Sequence, residues 1–164
     1  MKLRIGTGFL VSLILTWALP ARAQDLGPDF TKVKDGIYTF APDATTTTCS
    51  FVVTQEGVVM IDGCNSPLDS RRMLAAIKKV TDKPIVFLID TETHSDHTGN
   101  HFMFSPPAVI INHEGAAEAM KKEFNPKRAE TLAAQSAEMR AALEGNKMVT
   151  PQIEYKNKMT LNIG

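Results

Sequence analysis

Short blocks of apolar residues, bounded by turn residues, fill the chain from Gly36 onward. Gly36-Ile37-Tyr38-Thr39-Phe40 alternates with a period of two, as a strand does. A threonine run, Thr45 to Thr48, leads into Cys49-Ser50-Phe51-Val52-Val53-Thr54, and Glu56-Gly57 separates that block from Val58-Val59-Met60-Ile61-Asp62. The two blocks predict a β-hairpin. Both strands are apolar at nearly every position, so both faces are expected to be covered, as inside a layered α/β structure. A helix is expected from Ser66. Ser66 is a good N-cap, Pro67 suits the first helical position, and Asp69 complements the helix dipole. Leu68, Met73, Leu74, Ile77 and Val80 form one stripe, and Asp82-Lys83-Pro84 ends the pattern. Ile85 to Ile89 is a continuous apolar run, expected as a buried parallel strand. The polar stretch Asp90 to His101 follows, then a strand at Ala108–Ile111, helical patterns at Gly115–Phe124 and Pro126–Leu143, and a final alternation at Met159–Ile163 that reads as the start of one more strand. The chain shows no internal repeat and no Gly/Ser-rich linker.

Composition changes this picture little. Hydrophobic residues make up 43% and charged residues 22% of the 164, near the globular average, which excludes a disordered tail or a polytopic membrane protein. Lys plus Arg (18) equals Asp plus Glu (18), so no charge excess points to nucleic acid. The N-terminus changes more. Lys2 and Arg4 precede an apolar run from Phe9 to Leu19, and Ala21-Arg22-Ala23 has the small-x-small form of a signal-peptidase site. The run is shorter than the roughly 20 residues that span a bilayer. Residues 1–23 therefore read as a signal peptide cleaved after Ala23, leaving residues 24–164 as one domain, periplasmic or secreted, with no stable membrane insertion. In that oxidising setting the two cysteines acquire meaning. A two-residue turn at Glu56-Gly57 sets Cys49 opposite Cys64, within reach of a disulfide that would stabilise the hairpin. The alternative is two unpaired core residues.

The chemistry concentrates in Thr91-Glu92-Thr93-His94-Ser95-Asp96-His97-Thr98-Gly99-Asn100-His101, which holds three of the four histidines. It follows a buried strand, and ligands gather beyond the C-terminal ends of strands in open α/β sheets. Imidazole nitrogens and carboxylate oxygens are ordinary zinc ligands. In an extended loop Glu92, His94 and Asp96 would share one side and His97 would point elsewhere, serving two neighbouring metal positions. The competing reading is a polar loop in which Asp96 caps the next helix. His101 is expected to pack or to face solvent. His113 is expected near a helix N-terminus. Lys121-Lys122 and Lys127-Arg128 read as solvated faces, and Met103, Met120, Met139 and Met148 as filler.

Glu92-Thr93-His94-Ser95-Asp96-His97-Thr98-Gly99 resembles the His-x-His-x-Asp-His signature of the metallo-β-lactamase superfamily, with Glu92 in place of the first histidine and Asn100 in place of the second glycine. The hairpin Phe51–Gly63 and the strand Val109–Glu114 resemble the family's flanking elements, so the likeness covers roughly residues 36–124. It implies an αββα sandwich of mixed sheet and flanking helices, and a metal site at the sheet edge. By this resemblance His94 is a ligand of the first metal, His97 of the second, Asp96 binds the second metal and handles protons, and Asp62 is a buried acid behind the site. Glu92 is expected as a fourth ligand; otherwise it orients His94 from outside the ligand set. One or two zinc ions are implied, and the carboxylate of Glu92 shifts preference towards Mn or Fe. The ligands that the family draws from a second, similar half have no counterpart from Glu114 to Gly164, which contains no histidine. The chain thus reads as the N-terminal half of an exported metal-dependent hydrolase acting on a small-molecule ester, amide, thioester or lactam. The alternative is a short metal-binding protein without turnover, as a homodimer that rebuilds two halves, or an inactive fragment.

Overall fold

A computed structural model describes residues 25–43 and 46–164; the expected signal peptide lies outside the described residues. Seven strands form one sheet in sequence order: β1 (Phe30–Lys34), β2 (Ile37–Phe40), β3 (Cys49–Val53), β4 (Val58–Ile61), β5 (Ile85–Ile89), β6 (Val109–His113) and β7 (Ile153–Tyr155). The first four are antiparallel neighbours and β4 to β7 are parallel. The helices are α1 (Pro67–Val80), α2 (Ser95–Thr98), α3 (Ala116–Glu123), α4 (Lys127–Ala133) and α5 (Ala137–Ala142), with a 3₁₀ turn at His101–Met103. None of the described helices is long and apolar enough to cross a membrane.

Strand order places the helices. Three crossovers step in one direction from β4 to β7, and right-handed crossovers in one direction leave their helices on one face. Arg71 of α1 donates to the Ala141 carbonyl of α5 at 2.6 Å, tying that layer together. The core lies beneath it, where Phe40, Phe51, Met60, Leu88 and Ile110 meet Met73 and Ile77 of α1. The alternate strand positions face the other way. Val52, Val59, Phe87 and Val109 form one cross-strand row, and Ile61, Ile89, Ile111 and Ile153 the next. Most of these are only half-buried. The expectation that both faces are covered is met in part: one face carries the helical layer, and on the other, which has no described helix on it, Val59 and Ile111 are buried while the rest are half-buried.

Helix α1 forms as its sequence predicts. The Ser66 hydroxyl accepts from the Asp69 amide at 3.2 Å and Pro67 occupies the first turn. Other elements depart from expectation. Strand β1 escapes the pattern because four of its five residues are exposed. The long helical pattern after Pro126 breaks in two, because Ser136 leaves the helix and caps a new one through the Met139 amide at 2.9 Å. The last strand is Ile153–Tyr155, not Met159–Ile163; Ile153 pairs with Ile111 on the open edge of β6, and Gly164 packs against Gln55. His113 ends β6 two residues before the α3 cap at Gly115, as expected, with Nε2 2.6 Å from the Lys156 carbonyl.

The hairpin register differs from a two-residue turn. Val53 pairs with Val58, so Thr54–Gly57 all lie in the connection. Cys49 and Cys64 nevertheless form a disulfide, with Cα atoms 5.2 Å apart. The chain bends sharply after β4, where Asp62 (φ 61°) and Cys64 (φ 66°) adopt the left-handed region and swing Cys64 back towards Cys49. The bond closes a loop of sequence separation 15. Replacing both cysteines by alanine is expected to lower the unfolding free energy by about 3 kcal/mol, the chain-entropy value for such a loop, read from urea denaturation.

A second buried feature lies under α2. His101, 1% exposed, places Nε2 2.8 Å from Asp90 Oδ1 and Nδ1 2.8 Å from the Val149 carbonyl, while Asn112 Nδ2 donates to Asp90 Oδ2 at 3.0 Å. Burial pushes the Asp90 carboxyl above its ordinary value, and the His101 contact pulls it back. Replacing His101 by alanine is expected to cost about 3 kcal/mol at pH 7, because a buried carboxyl group loses its hydrogen-bonding partner. A carboxyl raised in the folded state takes up its proton there before the unfolded chain does, so acidification favours the fold at this group. The His101→Ala deficit should accordingly shrink between pH 7 and pH 4.5 in denaturant melts.

Candidate metal centre

Asp62 follows β4 directly, and parallel pairing of Ile61 with Ile89 brings it beside the segment that leaves β5. It is 2% exposed. Its carboxylate accepts from the Thr91 amide and the Thr91 hydroxyl, each at 2.8 Å, and lies 3.1 Å from His97 Nδ1. These contacts hold one edge of the His97 ring and turn Nε2 outward. There Nε2 meets Glu92 Oε1 at 2.7 Å and Asp96 Oδ2 at 3.6 Å. The Thr47 hydroxyl donates to Asp96 Oδ2 at 2.5 Å and lies 3.4 Å from His97 Nε2. That contact holds the Asp96 carboxyl below the usual range.

The convergence depends on local helix. Ser95–Thr98 makes a single turn, supported by the Thr98 hydroxyl, which reaches the Thr93 and His94 carbonyls at 3.1 Å. Successive side chains then rotate by about 100°, not 180°, so Asp96 and His97 come round to Glu92. The extended-loop geometry expected from sequence does not form. Its grouping of Glu92, His94 and Asp96 is replaced by Glu92, Asp96 and His97, whose ligand atoms lie within 4.8 Å of one another. His94 stands at the helix N-terminus with its side chain 65% exposed, and its Nδ1 bonds the other oxygen of Glu92. That carboxylate raises the His94 pKa above its ordinary value. Asp96 does not cap the helix; His94 occupies the cap position without a side-chain bond.

The β4–α1 turn clamps this helix from behind. The Gly63 amide donates to the His97 carbonyl at 2.7 Å, and a Cβ on Gly63 would sit 2.8 Å from that oxygen, so only glycine permits the approach. Asn100, fully buried where the family signature has glycine, donates to the Cys64 carbonyl at 2.6 Å. The disulfide, the turn and the motif helix are therefore mechanically joined. Thr47 and Thr91 escaped sequence reading because a threonine hydroxyl has no spacing signal; Thr91 stood next to the cluster, and Thr47 was one of four consecutive threonines.

One imidazole nitrogen and two carboxylate oxygens, converging on a half-exposed point, fit a divalent ion. The Asp62 contact on the far nitrogen of His97 is the outer support that metal-ligating histidines ordinarily carry. His101 and His113 are committed to contacts elsewhere in the fold.

No protein-family model and no curated protein matches the chain. Solved structures do. A Cronobacter sakazakii metallo-β-lactamase with a mutated HARLDQ motif superposes with a TM-score of 0.60 at 15% identity, over 84% of this chain and 51% of that one. A B3 metallo-β-lactamase described as the first with an active-site glutamic acid gives 0.59 at 22% identity, over 86% and 51%. The inverting sec-alkylsulfatase Pisa1 of a Pseudomonas species gives 0.58 at 15% identity, over 78% and 24%. The α/β sheet and one-sided helical layer are thus those of the metallo-β-lactamase fold, and this chain spans about half the length of the β-lactamases it matches.

Proposed function

We propose that the protein is an exported hydrolase of the metallo-β-lactamase superfamily and that Glu92, Asp96 and His97 hold its metal, zinc in the first instance. The observation that carries this reading is the convergence of these three side chains on His97 Nε2, with Asp62 supporting Nδ1. His94, bonded to Glu92, is the remaining residue of the ligand set expected from sequence. Two carboxylates admit Mn or Fe as well. The neighbour described by an active-site glutamic acid supports Glu92 as part of such a site. A bound ion would supply Lewis acidity and an acidified water near neutral pH.

The residues of this chain have distinct roles in that scheme. Asp62 fixes the His97 ring and its tautomer, so that Nε2 presents a lone pair. Thr47 keeps Asp96 ionised and aimed at the same point. Asp96 is the carboxylate placed to hold and release a proton during attack on a small-molecule carbonyl or related electrophile. Export rests on the pattern of residues 1–23. A second reading, metal binding without turnover, is favoured by one observation: among the described residues, the candidate ligands all come from residues 92–97.

Zinc affinity, read by competition with a chromogenic chelator at pH 7.5, tests the site. His97→Ala is expected to lose at least tenfold, and Asp62→Asn about tenfold through loss of ring support. Equal zinc retention by wild type and a Glu92→Gln/His97→Ala double variant sinks the metal site. Turnover of an ester, thioester or lactam panel that disappears with the metal separates the hydrolase from the binding protein.

A further inference from the structure

Arg128, in the first turn of α4, does not lie on a solvated face. It is half-buried, and its guanidinium presses against the motif helix: a Cβ on Gly99 would come 2.5 Å from Nη1 and 3.4 Å from Cζ. Nη2 donates to the Asn65 carbonyl at 3.3 Å. Among the described residues no carboxylate lies within the 4.0 Å ion-pair distance of this guanidinium. Asp96 acts on it only through its field, while burial weakens its hold on the proton. A partly desolvated cation without a direct counter-charge is costly, and this one borders open space.

That space is a cavity of about 380 Å³, within the range of small-molecule pockets. Its walls divide by chemistry. Met120, Phe124, Leu132, Leu143 and Met148 give an apolar side, and Phe124 is 48% exposed at its rim. Arg128, Ser95 and Asn125 give a polar side. The charged lining residues are Arg128, Lys147 and Glu123, a net positive set. The cavity touches Ser95, Thr98 and Gly99, which share one side of a helical turn, while Asp96 and His97 project from the other. It therefore borders the metal centre without sharing a ligand side chain with it.

We propose that this cavity binds a small amphipathic anion, with its carboxylate on Arg128 and its apolar body against Leu132, Leu143 and Met148. A guanidinium presents a planar fork that matches a carboxylate, and an apolar wall rewards an aliphatic or aromatic body. The site is independent of the metal reading, since no metal ligand lines it.

The test uses the purified chain treated with EDTA and titrates octanoate and 1-octanol by calorimetry. Wild type is expected to bind octanoate at least tenfold more tightly than octanol. Arg128→Gln should abolish that preference while leaving octanol binding unchanged, and Arg128→Lys should keep part of it. Leu132→Trp, which fills the cavity, should weaken both ligands. The same preference in a His97→Ala protein supports a site separate from the metal centre, whatever zinc does there. Equal binding of octanoate and octanol by wild type overturns the proposal without any variant. So does an octanoate preference that survives Arg128→Gln, or a wild type that binds neither.

Discussion

The contact between Asp62 and His97 governs the geometry of the site. It joins the end of β4 to the segment leaving β5, across 3.1 Å. Asp62 serves because it is buried, and because Thr91 satisfies the rest of its carboxylate with an amide and a hydroxyl. A buried, fully hydrogen-bonded acceptor at that point fixes one nitrogen of His97 and so aims the other. Glu92 and Asp96 then converge on an atom whose position is already determined. The left-handed backbone of Asp62 and Cys64 belongs to the same arrangement, because it turns the chain so that the Gly63 amide can hold the motif helix.

The disulfide and Asn100 extend that constraint into the scaffold. Cys64 is bonded to β3 through sulfur and accepts from Asn100 through its carbonyl, so the loop behind the metal centre is anchored at two points. Beneath it, His101, Asp90 and Asn112 form a buried polar group that links β5, the 3₁₀ turn and β6. Polar groups buried this way specify position as much as they stabilise, since each has few alternative partners. The candidate site is half-exposed, but the structure that supports it is not.

The sheet is covered on one face by described helices. The rows Val52–Val59–Phe87–Val109 and Ile61–Ile89–Ile111–Ile153 line the other face, where Val59 and Ile111 are buried and the rest are half-buried. The matched part of this chain spans about half the length of the metallo-β-lactamases that share this fold. The apolar runs of β4 and β5 signalled two faces to bury, and the second is buried only at Val59 and Ile111 among the residues of these two rows.

Much of this was legible in one dimension. The strands β2 to β6, helix α1 with its Ser66 cap, and the donor cluster after β5 follow from periodicity, cap chemistry and residue type, which are local properties. Three-dimensional structure decided what depends on angle and register. One turn of helix at Ser95–Thr98 exchanged His94 for His97 in the converging set, because a 100° step and a 180° step send neighbouring side chains to different places. A two-residue difference in the hairpin left the disulfide intact only through a backbone bend that no spacing rule contains. Arg128 became a half-buried cation because α4 folded back onto Gly99. Sequence named the chemistry available at the sheet edge, and tertiary packing chose which atoms meet, since contacts between residues 30 or more positions apart have no periodicity to reveal them.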